Sequence, residues 1–221
     1  MKFNRIIFFI YFLVTAADLL FIYLKLDEWR WLSKPLLMPL LMIAVYLNRT
    51  TIPLFYWMLS GLALSWAGDV LLQLKGMFIP GLISFLLAHI CYILYFIKIN
   101  SSHKGLLQLQ PMIGLPVLIY ILIFLWLLYP FLDAMRLPVT AYGITIGTML
   151  LMSINTNRKV NATASVLFFN GALQFVISDS LLAVNLFAYS STVLSLCVMA
   201  TYASAQYLLV KGSMQVQTIQ Q

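Results

Sequence analysis

Eight apolar runs, each about as long as a bilayer core is thick, divide this 221-residue chain. Hydrocarbon offers no partners to backbone N–H and C=O groups, so a run of about 20 apolar residues must close its hydrogen bonds within itself as a helix. The runs lie at roughly 5–24, 33–48, 52–74, 78–97, 111–129, 135–153, 163–184 and 189–210. The second opens on "SKPLLMP", where Pro35 is tolerated in a first helical turn. Hydrophobic residues make up 63% of the chain and charged ones only 9%. A soluble domain carries about 25% charged residues. The pattern predicts an all-α integral membrane protein: one transmembrane domain over 1–210, a bundle of eight transmembrane helices, and a short polar tail over 211–221. The start, "MKFNR" before "IIFFIYFLV" and "TAA", imitates a secretory signal. Hydrophobicity resumes at once in "LLFIYL", which favours an uncleaved first span.

The net charge of +7 does not point to nucleic acid, because the Lys and Arg residues sit between the apolar runs and form no patch interleaved with aromatics. There they set orientation and meet anionic headgroups. With both termini on one side, that side holds Lys2, Arg5, Arg49, Lys98, Lys104, Arg158, Lys159 and Lys211. The other side holds Lys25, Arg30, Lys34, Lys75 and Arg136. The bias predicts cytoplasmic termini, in the cell (inner) membrane if the source is bacterial. Cys91 and Cys197 lie in apolar runs without metal-site spacing and read as packing residues.

Asp18, Asp69 and Asp179 break this economy. Each stands inside an apolar run, where a carboxylate is costly and Asp is too short to reach the interface. All three precede the same end of the bundle by five to seven residues. Lys34 and Tyr142 fall near that end, and His89 lies closer to mid-membrane. A bland reading remains for each: a helix-end aspartate touching water, or a packing histidine. Gathered in one half of the bilayer, they predict a polar pocket open to one face. Gly61, Asp69, Leu71 and Leu72 recur 110 residues later as Gly171, Asp179, Leu181 and Leu182. That offset suggests two four-helix halves arranged as a parallel repeat.

No H-E-x-x-H, G-x-S-x-G or phosphate-binding glycine loop is present, and two histidines (His89 and the loop residue His103) are too few for a typical zinc site. Two carboxyls in a dry cleft, one protonated and one ionised, suit reactions through an oxocarbenium-like cation. Such groups also occur in proton-coupled transporters and lipid carriers, the alternative the sequence leaves open.

The same residues resemble the lysoplasmalogenase (YhhN-like) family of multi-span membrane proteins. The matching pieces are "SKPLLMP" with Lys34, "AGDVLL" with Asp69, and "FIPGLISFLLAHICY" with Phe78, Gly81, Phe85, His89 and Tyr92. "AYG" with Tyr142 and "NGALQFVISDSLLA" with Gly171, Phe175, Ser178 and Asp179 complete the series, while the segment around Asp18 is a looser match. The resemblance implies eight transmembrane helices and hydrolysis of the vinyl-ether bond of a lysophospholipid substrate, the lysoplasmalogen. The products would be a fatty aldehyde and a glycerophospho-ethanolamine or -choline. It implies no metal or organic cofactor. On this reading Asp69 and Asp179 form the acid–base pair and Lys34 binds the headgroup phosphate. His89, Tyr92, Tyr142, Asp18 and Ser178 would line or support the site.

Overall fold

The computed structural model describes residues 2–217. It contains α1 (Lys2–Leu24), α2 (Asp27–Leu47), α3 (Phe55–Gln73), α4 (Phe78–Lys98), the single turn α5 (Leu106–Leu109), α6 (Leu115–Leu128), α7 (Arg136–Ile154), α8 (Ala162–Ala183) and α9 (Thr192–Met214). Eight helical stretches are long and apolar enough to cross a bilayer, the fifth running from Pro111 to Phe131 with short 3-10 turns at its ends. No strand occurs among the described residues. The second helix begins at Asp27 instead of Ser33, because "DEWRW" supplies an acidic first turn and interfacial tryptophans that continue the helix beyond the apolar run. The last helix passes Lys211 and ends at Met214, with Gly212 packed on Phe168. Of the expected tail, residues 218–221 lie outside the described residues.

Seven helices form a closed ring in the order α1, α2, α3, α4, α7, α8, α9 and back to α1, with α9 also touching α2 and α3. The remaining spanning helix, α6, packs on the outside of α7. It keeps Leu118, Leu122 and Trp126 exposed, as a lipid-facing helix should. Apolar burial cannot hold such a ring together, since lipid is as apolar as leucine, so close packing does. Gly61 lies against the Tyr92 ring and Gly68 against Phe85, which seats α3 on α4; Gly171 lies against Leu209 and the Ala205 carbonyl, which seats α8 on α9. A Cβ at any of these positions would collide with its neighbour. The α3–α4 turn passes through Gly76 at φ +78°, a left-handed conformation that favours glycine.

One polar contact between helices follows directly from proline chemistry. Pro39 has no N–H to give the Pro35 carbonyl one turn back, leaving an acceptor in a membrane helix without its usual donor. The Trp66 indole N–H of α3 donates to that carbonyl at 3.0 Å. Trp66→Phe should therefore lower the thermal midpoint in detergent, by the equivalent of about 1–2 kcal/mol. Adding Pro39→Ala restores a backbone donor and should recover most of the loss. Equal midpoints for wild type and Trp66→Phe would show that the indole bond contributes nothing.

Candidate active site: two carboxylate stations in one cavity

A cavity of about 330 Å³ opens at the end of the ring where α1, α3 and α8 finish and α2, α4, α7 and α9 begin. Its wall includes Arg30, Lys34, Asp69, Tyr142, Asp179 and Tyr202 as polar groups, with Phe78, Leu82, Phe85, Leu186 and Phe187 among the apolar ones. The site is thus apolar over much of its lining with a few convergent polar groups, as expected for a lipid pocket.

Asp69 stands one turn before the end of α3 and is buried. Lys34 of α2 brings its ammonium to 3.2 Å from Oδ1, and the Tyr202 hydroxyl of α9 donates to Oδ2 at 2.6 Å. Three helices therefore converge on one carboxylate. Lys34 supplies the counter-charge that an ionised aspartate requires away from water, and Tyr202 fixes the second oxygen.

Asp179, one turn before the end of α8, has different company. The Tyr142 hydroxyl of α7 donates to its Oδ2 at 2.6 Å, and His89 Nε2 of α4 lies 3.7 Å from the same oxygen. The other imidazole nitrogen, Nδ1, is 2.6 Å from the Phe85 carbonyl. A carbonyl can only accept, so Nδ1 carries the hydrogen and a neutral His89 turns its Nε2 lone pair toward Asp179. At 3.7 Å the contact is longer than a hydrogen bond, and Nε2 is buried with no hydrogen-bond partner among the described residues. No ammonium or guanidinium lies within ion-pair distance of Asp179 among the described residues.

Aromatic rings pack continuously from His89 to Tyr202 beside the two carboxylates: His89–Phe175 centroids lie 5.0 Å apart, Phe175–Tyr202 5.7 Å and Phe85–Tyr202 5.9 Å. The stations differ chemically: Asp69 faces a fixed cation, Asp179 a phenol hydroxyl and a neutral imidazole.

Other expected residues are placed unevenly. Ser178 lines the cavity, but its hydroxyl donates to the Val198 carbonyl at 3.0 Å. His89 is buried behind Asp179 and does not line the cavity. Tyr92 is outside the cavity wall: it is one turn deeper, packed on Gly61, with its hydroxyl donating to Gln206 at 2.8 Å. Asp18 is likewise behind the wall, accepting the Ser33 hydroxyl at 2.6 Å. Tyr202 and Arg30 are among the wall residues that sequence alone does not single out. Tyr202 lies 110 positions after Tyr92, the offset that relates Asp69 to Asp179, so extending the repeat would have found it. Arg30 looks like a loop residue until α2 is extended to Asp27; it then precedes Lys34 by one turn on the same face. Among the described residues no three His, Cys, Asp or Glu side chains gather as metal ligands would.

This geometry can be compared with known proteins. The YhhN family profile matches residues 29–213, a stretch that holds every wall residue named above. The chain belongs to the YhhN family. It is 29% identical to Lysoplasmalogenase TMEM86B of Rattus norvegicus over 201 residues, which is 90% of this chain and 80% of the relative. It is 30% identical to the Mus musculus protein of the same name over 211 residues, 91% of this chain and 84% of the relative. It is also 28% identical to Lysoplasmalogenase of Mycobacterium tuberculosis over 165 residues, covering 71% and 59% of the two chains. No solved structure matches it.

In this YhhN protein the Lys34–Asp69 pair should be energetically coupled. Lys34→Met leaves a buried carboxylate without its cation and should cost about 3–5 kcal/mol. The double variant Lys34→Met/Asp69→Asn should recover a large part of that. Thermal midpoints of the two single variants and the double in detergent give the coupling; strictly additive losses would mean the two charges do not stabilise each other.

Proposed function

We propose that this protein is a membrane lysoplasmalogenase, a hydrolase of the vinyl-ether bond of lysoplasmalogens that yields a fatty aldehyde and a glycerophospho-ethanolamine or -choline. The observation that carries the reading is the asymmetric pair of carboxylate stations facing one apolar cavity. The relatives bearing the lysoplasmalogenase name support the substrate class.

The chemistry maps onto the stations as follows. Asp179, which no ammonium or guanidinium pairs with among the described residues, carries a proton and is the acid. It protonates the alkenyl carbon distal to the ether oxygen, and positive charge develops on the oxygen-bearing carbon as an oxocarbenium ion. Asp69, kept ionised by Lys34 and aimed by Tyr202, takes a proton from the water that adds to this carbon. The resulting hemiacetal collapses when Asp69 returns its proton to the glycerol ether oxygen and Asp179 removes the proton of the new hydroxyl. The C–O bond to glycerol breaks, the aldehyde leaves, and both stations regain their starting protonation. One water is consumed and no external proton is needed. Phe78, Leu82, Leu186 and Phe187 provide the apolar bed for the alkenyl chain. With the termini cytoplasmic, the cavity opens toward the outer side of the membrane.

Asp69→Asn and Asp179→Asn should each reduce aldehyde release on the order of 10²–10⁴-fold while leaving a monodisperse protein in detergent. The saturated-ether analogue, which cannot be protonated at carbon, should give no aldehyde with the wild type. In D₂O the aldehyde formed should carry one deuteron at the carbon next to the carbonyl. Wild-type rates in either Asn variant would remove that residue from its role, and aldehyde lacking the deuteron would exclude protonation at carbon.

A further inference from the structure

Asp18 is fully buried on α1, yet none of the proton transfers above uses it. A carboxylate there is expensive, and its neighbours show what it holds. Its Oδ1 accepts the Ser33 hydroxyl at 2.6 Å and lies 3.6 Å from Arg30 Nε, so it grips two residues on successive turns of α2. Arg30 in turn lines the cavity, whereas Asp18 does not. The ion pair thus presents its cation to the cavity and hides its anion behind the wall.

The guanidinium is held by one edge. Its Nε faces Asp18, and the other carboxylate near it is Asp27, 4.0 Å from Nη1 on a side chain that is 86% exposed. No hydrogen bond from Nη1 or Nη2 to another group occurs among the described residues. That outer edge is the one that grips a phosphate or carboxylate through two parallel N–H bonds. One turn deeper on the same helix face, Lys34 is already committed to Asp69. Lys34 is offset by Asp69, and Arg30 by Asp18 from behind the wall, so what the cavity offers an anion is the free N–H edge of the guanidinium and not a net charge.

Length agrees with this. Arg30 and Lys34 are four residues apart, a rise of ~6 Å along the helix. The three-carbon glycerol unit that separates a vinyl ether from a headgroup phosphate spans roughly the same ~5–6 Å. An alkenyl group beside the carboxylate stations would leave the phosphate level with Arg30.

We infer that Arg30, positioned by the buried Asp18–Ser33 unit, is the binding site for the phosphate of the lysolipid headgroup, and that Lys34 belongs to Asp69 instead. This assignment rests on the hydrolase reading above. Asp18 is a positioning residue: it acts only through Arg30.

The test compares a 1-alkenyl-lysophosphoethanolamine with the 1-alkenylglycerol that lacks phosphate. Arg30→Gln should lower the ratio of their kcat/KM values by on the order of tenfold to a hundredfold, the worth of a charge-assisted hydrogen-bonded contact. Asp18→Asn keeps an acceptor for Ser33 but loses the charge; it should raise KM for the phosphate lipid while kcat moves by less. Arg30→Gln/Asp18→Asn should be no worse on that ratio than Arg30→Gln alone. Equal losses on both lipids would overturn the assignment, since a purely structural role cannot tell them apart. If Arg30→Gln does not yield folded protein, Arg30→Lys is read by the same ratio, which should fall as the two-pronged grip is lost. Inorganic phosphate is titrated in parallel: competition with the wild type, without any change of the lipid ratio in the variants, would assign Arg30 to free phosphate and overturn the headgroup assignment. Absence of aldehyde from both lipids with the wild type would sink the hydrolase reading instead. Arg30 would then be judged by retention of the saturated-ether lysophospholipid over its phosphate-free counterpart, which only the wild type should show.

Discussion

The Lys34–Asp69 contact is the interaction on which the polar interior depends. An aspartate in a membrane helix needs either water or a counter-charge, and Asp69 is buried. Lys34 reaches it only because α2 extends down to Asp27 and carries Lys34 on a regular helical face. Trp66 of α3 meanwhile fills the place of the donor that Pro39 removes from α2. The ion pair and the indole bond both tie α2 to α3, so the proline that weakens one helix helps set the docking of two. Tyr202 extends the arrangement to α9, and with it the ring acquires a fixed anionic point at one end.

How much of this can be read from the sequence depends on what each feature requires. The spans follow from hydrocarbon forbidding unpaired backbone, a rule that needs no tertiary information, and the eight apolar runs and eight apolar helices agree. Asp69, Asp179, Lys34 and Tyr142 are legible for a related reason: polar groups at matching depth stand out against leucine. Rotation about each helix axis is another matter. His89 and Tyr92 are three residues apart and share a face of α4, but one reaches Asp179 and the other drops a turn toward Gln206. Depth along the ring separates them, and only the packed ring sets it. Tyr202 sits among apolar and small residues in a helix with no charge until Lys211, so nothing local marks it. Arg30 is concealed by a hydropathy window that ends helices at their first charges, whereas interfacial turns routinely include them.

The cavity also explains why two carboxylates of similar depth need not share one role. Paired acids are usually distinguished by mutual repulsion across a short gap. Here each takes its character from its own neighbours. A fixed ammonium beside Asp69 favours the anion. Asp179 has a hydroxyl donor and a neutral imidazole nearby, and no cation within ion-pair distance among the described residues. The proposed division of labour thus rests on the helix neighbours.

Two unlike stations also suit the proposed reaction. Protonation and water addition occur on adjacent carbons of the alkenyl group, and from different directions. A single carboxylate would have to release a proton to one carbon and then accept one from water approaching the next, moving between the two events. In the proposed mechanism two fixed stations on one cavity wall remove that movement, because the carboxyl that gives the proton to carbon is not the one that takes a proton from water. Preorganised groups of this kind need not reorient as charge develops, which is the main advantage a dry site has over water. The rigid glycine-packed hairpins α3–α4 and α8–α9, each carrying one aspartate next to its turn, are what keep the stations in place.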